Sequence, residues 1–171
     1  MVAAKIVKEL REKTGAGMMD CKKALTETNG DLNLAVDWLR AKGLSAAAKK
    51  ASRSASDGLV CVLSEDNKAG IIEVNSETDF VARNDLFQEF VLNLGQMVVD
   101  GEDNLDSLSS VNYAGSEKIV SDKLTQMIAT IGENIAIRRI DRLDVSRGVV
   151  CKYIHNSVKP NLGKIGVILA I

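Results

Sequence analysis

The sequence predicts an α+β protein: an N-terminal three-helix bundle, then an α+β core with a largely antiparallel sheet. Residues 1–43 carry apolar residues at helical spacing, broken by glycine-containing turns. Residues 58–171 mix short β-branched runs with two amphipathic stretches, in the order β-β-α-α-β-β-β. Between them, residues 44–57 are small and basic and contain no glycine or proline, which reads as a connecting helix or linker rather than a flexible tether.

In the N-terminal part, Ile6, Val7 and Leu10 fall together on a first helix that ends at Lys13. Thr14-Gly15-Ala16-Gly17 supplies the turn, because glycine admits the positive φ that ends a helix. A second helix covers roughly 18–28 and stops at Asn29-Gly30. Asp31 then caps a third, on which Leu32, Ala35, Val36 and Leu39 recur at i, i+3, i+4 and i+7, and Gly43 is expected to stop it. Trp38 lies off that stripe, four residues from Leu34, and is expected to pack against the segment that follows.

In the core, 59–63 and 70–75 read as strands around the hairpin signal Glu65-Asp66-Asn67-Lys68. A helix is expected over about 86–99, an acidic loop over 100–113, and a second helix over about 117–131. Residues 135–143, 149–155 and 164–171 read as three more strands, with Gly148 marking the turn between the first two.

The composition excludes several classes. Apolar content of 46% and charged content of 26% are ordinary for a globular protein. The net charge of −1 is split, +4 over residues 1–57 and −5 over the remainder, too weakly basic anywhere to announce nucleic-acid binding. A helix-turn-helix reader is disfavoured because the second helix opens with Met18, Met19, Asp20 and Cys21 rather than base-reading side chains. Lys5, Lys8, Glu9 and Arg11 interrupt any signal-peptide core, and no run is long enough to span a bilayer, so a cytoplasmic protein is expected. Cys21, Cys61 and Cys151 are odd in number and widely spaced, which argues against a disulfide framework or zinc site. Catalytic signatures are equally absent. There is no phosphate-binding loop, and the single histidine excludes multi-histidine metal chemistry. Cys151 and His155 lie about 13 Å apart along one strand, beyond the reach of a nucleophile and its base.

The segment Asn75-Ser76-Glu77-Thr78-Asp79-Phe80-Val81-Ala82-Arg83-Asn84-Asp85 stands out. It sets one of only three phenylalanines on a polar, carboxylate-rich turn between a strand and a helix. The pattern is compatible with a ring tucked into its own core and with a wedge presented to another protein, its acidic neighbours disturbing charge there.

Taken together, residues 14–25 (Thr-Gly-Ala-Gly-Met-Met-Asp-Cys-Lys-Lys-Ala-Leu), 78–83 (Thr-Asp-Phe-Val-Ala-Arg) and 131–139 (Ile-Gly-Glu-Asn-Ile-Ala-Ile-Arg-Arg) resemble the elongation factor Ts family, in its order and at its spacing. The resemblance covers essentially the whole chain. It implies a ubiquitin-associated-like bundle over 1–43, the linker 44–57, and a dimerisation-type core over 58–171. It also implies guanine-nucleotide exchange on the GTPase elongation factor Tu, without cofactor, bound metal, nucleic acid or membrane, and leaves self-association through the core open. Thr78, Asp79, Phe80 and Val81 match the family's inserting segment, in which Phe80 enters the GTPase domain and Asp79 disturbs its Mg²⁺ region. Docking is implied for Gly15, Gly17, Met18, Met19, Asp20 and Cys21, and for His155 in the strand Tyr153-Ile154-His155. Arg138 and Arg139 match the family's paired arginines; as strand neighbours they are expected to point to opposite faces. Rival readings are an interaction module that binds through residues 1–43 alone and a small thiol enzyme dependent on Cys151.

Two departures accompany the resemblance. Residues 156–162, with the only proline at 160, lengthen the turn after His155. Family members continue past a strand like Gly163–Ile171, so the core is expected to be incomplete at its C-terminal side: a fragment, a truncated form, or a short form that pairs through its apolar edge.

Overall fold

A computed structural model describes residues 3–171, so the first two residues of the expected bundle lie outside it. The elements are α1 (Ala4–Thr14), α2 (Met18–Glu27), α3 (Leu32–Lys50), β1 (Asp57–Glu65), β2 (Lys68–Ser76), α4 (Asp79–Ala82), α5 (Asp85–Asp100), α6 (Leu105–Ser110), α7 (Val120–Ile131), β3 (Ile135–Asp144), β4 (Val150–His155), β5 (Leu162–Gly163) and β6 (Ile165–Ala170). They form two compact units, one of residues 1–53 with 124–134, the other of 54–123 with 135–171. Among the described residues, no helix is long and apolar enough to cross a membrane.

The first unit contains the three-helix bundle. Val7, Leu10, Cys21, Ala24, Leu25 and Ala35 form its core, with Ile6, Leu32, Val36 and Leu39 packed against it, as the helical spacing predicts. Asp31 caps α3 by accepting hydrogen bonds from the Asn33 and Leu34 amides at 2.8 and 3.0 Å. Trp38 corrects its expectation: it packs against the bundle core, with the Lys23 and Lys42 ammonium groups 6.0 and 5.7 Å from the ring centre.

Gly43 does not stop α3. The helix runs on to Lys50, and Gly43 is buried inside it. A Cβ on Gly43 would meet the side chains of Thr125 and Ala129 of α7 at 3.7 and 3.8 Å, so the missing side chain serves close packing of two helices, not chain reversal. The expected connecting helix over 44–57 is therefore the last two turns of α3, followed by irregular chain.

In the second unit, every strand pairing is antiparallel, but the strands divide between two sheets. One has the order β3-β2-β1-β5; the other is β4-β6. The β1–β2 hairpin closes at Glu65↔Lys68 around Asp66-Asn67, with Asp66 at φ 49°. Gly148 does not join paired strands: β3 pairs with β2 and β4 pairs with β6. One face of the larger sheet, through Leu59, Cys61, Ile72 and Val74, is covered by α5, whose Phe87, Phe90, Val91, Leu94 and Val98 are buried. On the other face Gly166 of β6 lies against Val60, Val62 and Ile71. Thus β6 is paired along one edge by β4, while Ile165, Val167 and Leu169 remain exposed on its outer face. The expected 100–113 loop contains a short helix, α6, capped by Asn104 and anchored by buried Leu108.

Burial separates the three thiols. Cys21 and Cys61 are buried, Cys151 is exposed, and desolvation pushes the Cys61 thiol up to about 12. A colorimetric thiol titration of folded protein at pH 8 is expected to show one fast-reacting group, Cys151, with the other two appearing only on denaturation. Three fast thiols in the folded chain would contradict this packing.

Candidate functional site

The segment after β2 folds into a tight, fully supported turn. Ser76, the last residue of β2, is buried and donates its hydroxyl to the Thr78 carbonyl at 3.0 Å. Thr78 is extended, at φ −129° and ψ 159°, and leads into the single helical turn α4. The Arg83 and Asn84 amides then donate to the Phe80 and Val81 carbonyls at 3.2 and 2.9 Å. Asn84 in turn caps α5, accepting from the Leu86 and Phe87 amides.

This local geometry decides the orientation of Phe80. Successive side chains of a helix are about 100° apart, and α4 directs Val81 and Ala82 inward, where both are buried. Phe80 consequently points away from the core and is 78% exposed. Among the described residues the ring is not part of a core. Asp79 sits on the same turn and is paired with Arg83 at 2.6 Å, four residues on. Arg83 is exposed and Asp79 half-exposed, and such a surface pair contributes only about 0.2–1 kcal/mol.

The N-terminal positions belong to the other unit. Gly15 ends α1 in the left-handed region at φ 68°, and its amide donates to the Arg11 carbonyl at 2.7 Å. Gly17 precedes α2, whose first residues Met18 and Met19 are 52% and 73% exposed. Two neighbouring exposed methionines form an adaptable apolar surface. Asp20 is ion-paired with Lys42. Cys21 is different: its side chain is wholly buried in the bundle, its thiol raised by burial and lying 3.6 Å from the Ala16 carbonyl.

His155 ends β4 on the exposed face of the small sheet, its Nδ1 3.0 Å from the Tyr153 hydroxyl. It shares an unbroken six-residue strand with Cys151, so the two do not form a dyad. Among the described residues, no group of three or more His, Cys, Asp or Glu could hold a metal ion. The long turn after His155 is tied to the start of α5 by Lys159, which donates to Asp85 at 2.6 Å and holds that carboxyl below its usual range.

Arg138 and Arg139 depart from the expected alternation. Glu73 faces Arg139 while Val74 faces Ile137, which leaves Arg138 as the extra residue of a bulge, and both arginines are exposed. Arg139 donates to Glu73 at 2.6 Å. Burial pushes the Glu73 carboxyl up, but hydrogen bonds from Asn75 and Arg139 outweigh it and hold the group below its usual value.

Gln88 was not singled out by sequence reasoning. It lies on the buried face of α5, in a stripe with Val91, Gly95 and Val98, and donates its amide to the Ala82 carbonyl at 2.9 Å. A lone polar residue on an apolar stripe was the signal available.

Comparison with known proteins agrees with the resemblance. The family profile described as Elongation factor TS matches residues 77–171. An elongation factor Ts of Methylorubrum populi is 55% identical over 170 residues, covering 99% of this chain and 56% of that protein. Those of Rhodospirillum centenum and Rhizobium etli are each also 55% identical, over 99% of this chain and 55% of theirs. The chain spans about half the length of the curated relatives it matches.

Opposite burial of adjacent residues has a direct consequence for stability. Phe80→Ala is expected to change unfolding free energy by less than about 0.5 kcal/mol, as for a solvated surface residue. Val81→Ala is expected to cost about 1–2 kcal/mol, for the lost methyl burial and the cavity left behind. Denaturant melts of the two variants check this; equal losses would mean that the ring is packed against its own protein.

Proposed function

This chain belongs to the elongation factor Ts family, and on that basis we propose that it is a guanine-nucleotide exchange factor for elongation factor Tu, acting in translation elongation in the cytoplasm. It acts as a binding protein: no bond is made or broken in the exchange. A GTPase holds its nucleotide through backbone amides, a lysine, and Mg²⁺ bridging phosphates and side chains. A factor that binds better to a form of the pocket lacking some of these contacts lowers nucleotide affinity by the same ratio as nucleotide lowers its own.

The observation that carries this reading is Phe80, held out on a turn whose neighbours Val81 and Ala82 are buried. Transfer of an exposed phenylalanine ring into an apolar site is worth about 1.5–3 kcal/mol. That matches the roughly 1–3 kcal/mol by which coupled ligands typically displace one another. Asp79 adds a negative charge for the Mg²⁺ region, and its weak pairing with Arg83 leaves it free to exchange partners at small cost. Thr78 and Val81 set the ring's direction. Docking energy is assigned to Gly15, Gly17, Met18, Met19 and Asp20, with Cys21 holding that surface from within, and to His155.

Stopped-flow release of a fluorescent GDP analogue from elongation factor Tu tests the reading. The parent chain is expected to accelerate release, and Phe80→Ala to lose roughly ten- to a hundredfold of that acceleration, the equivalent of one buried ring. Asp79→Asn is expected to lose less. Release as fast with Phe80→Ala as with the parent would remove the wedge from the mechanism. No acceleration by a folded chain that binds the GTPase would remove the function.

A further inference from the structure

Two buried polar side chains flank the Phe80 turn, Ser76 and Gln88. Ser76, fully buried, donates to the Thr78 carbonyl at 3.0 Å; Gln88, 5% exposed, donates to the Ala82 carbonyl at 2.9 Å. These bonds bracket the turn on both sides of α4. Between them, the Phe80 and Val81 carbonyls are taken by the Arg83 and Asn84 amides. The backbone from Thr78 to Ala82 is thus fixed by hydrogen bonds at its entrance, middle and exit.

Gln88 is an expensive way to fill its position. Its Oε1 is buried and accepts no hydrogen bond from any described residue. An unsatisfied buried acceptor is destabilising, whereas a methionine of similar length would fill the space without a polar atom. A residue that weakens the core while fixing an exposed turn fits a functional constraint better than a structural one. Preorganisation supplies the reason: a wedge whose backbone is ordered before docking loses less conformational freedom on insertion.

We propose that Ser76 and Gln88 are positioning residues of the exchange step, clamping the Thr78–Ala82 backbone so that the Phe80 ring is presented in its inserting orientation before the partner arrives. The functional half of this rests on the exchange reading above; the clamp itself does not.

The variants are Gln88→Met, Ser76→Ala, Phe80→Ala and the double variant Phe80→Ala/Gln88→Met, all in the full chain. Amide hydrogen exchange of the isolated protein reads the clamp alone. Gln88→Met is expected to speed exchange of the Arg83 and Asn84 amides about fivefold, the equivalent of one ordinary hydrogen bond, and to leave the later turns of α5 unchanged. GDP release reads its use. Gln88→Met and Ser76→Ala are each expected to lower the limiting release rate about fivefold at saturating chain, with the half-saturating concentration unchanged. In the Phe80→Ala background, Gln88→Met is expected to cost nothing further, because there is no ring left to position. The thermal midpoint of Gln88→Met should hold or rise, which separates the loss from misfolding. Unchanged exchange at Arg83 and Asn84 would overturn the clamp. An equal loss of release rate with and without Phe80 would overturn the positioning role. A parent chain that does not accelerate release at all sinks the exchange reading, and the amide measurement still decides whether the clamp exists.

Discussion

The candidate site depends on one packing event, the burial of Val81 and Ala82 at the end of the hairpin. A single helical turn has no stability of its own, since nucleation costs more than one hydrogen bond returns. Here it is held because two apolar side chains are withdrawn from water and both flanks are pinned, by Ser76 on the strand side and Gln88 on the helix side. With those directions fixed, helical geometry leaves Phe80 only the outward one. The exposed ring is the consequence of well-buried neighbours rather than a failure to fold.

The scaffold beneath is organised to the same end. The β1–β2 hairpin delivers the chain to Ser76, and α5 removes it from Asn84, so the turn is suspended between the two elements that form the unit's main core. Phe87, Phe90 and Leu94 bury the helix against Leu59, Cys61 and Ile72. A site mounted on rigid elements loses less on docking than one mounted on a free loop. The Lys159–Asp85 pair, exposed at the surface, joins the long turn after His155 to the same helix start.

Local chemistry was legible and non-local chemistry was not. Asp31 as a cap, Gly15 as a terminator and Asp66-Asn67 as a hairpin turn each act through their own neighbours, and the sequence reading found all three. Gly43 was misread because its role is set by Thr125 and Ala129, some eighty residues away. Division of the strands into two sheets depends on β6 returning to β4, and strand alternation carries no record of that. The bulge at Arg138 similarly arises from register against Glu73. At the site itself, the motif gave Thr78–Val81, but pattern left the direction of Phe80 open until the burial of Val81 and Ala82 resolved it. Cys21, placed by its motif among docking residues, proved to be a core thiol, and Gln88 passed unnoticed among the apolar residues of its helix.

The central claim is that a preformed wedge competes with nucleotide through the conformation of the GTPase, and linkage makes that claim measurable at equilibrium. The most direct measurement is calorimetric titration of this chain into elongation factor Tu, nucleotide-free and GDP-saturated, with GDP affinity measured in the presence and absence of the chain. The account predicts that GDP weakens binding of the chain by the same factor, roughly 5- to 150-fold, as the chain weakens binding of GDP. Equal affinity of the chain for the two forms of the GTPase would contradict it.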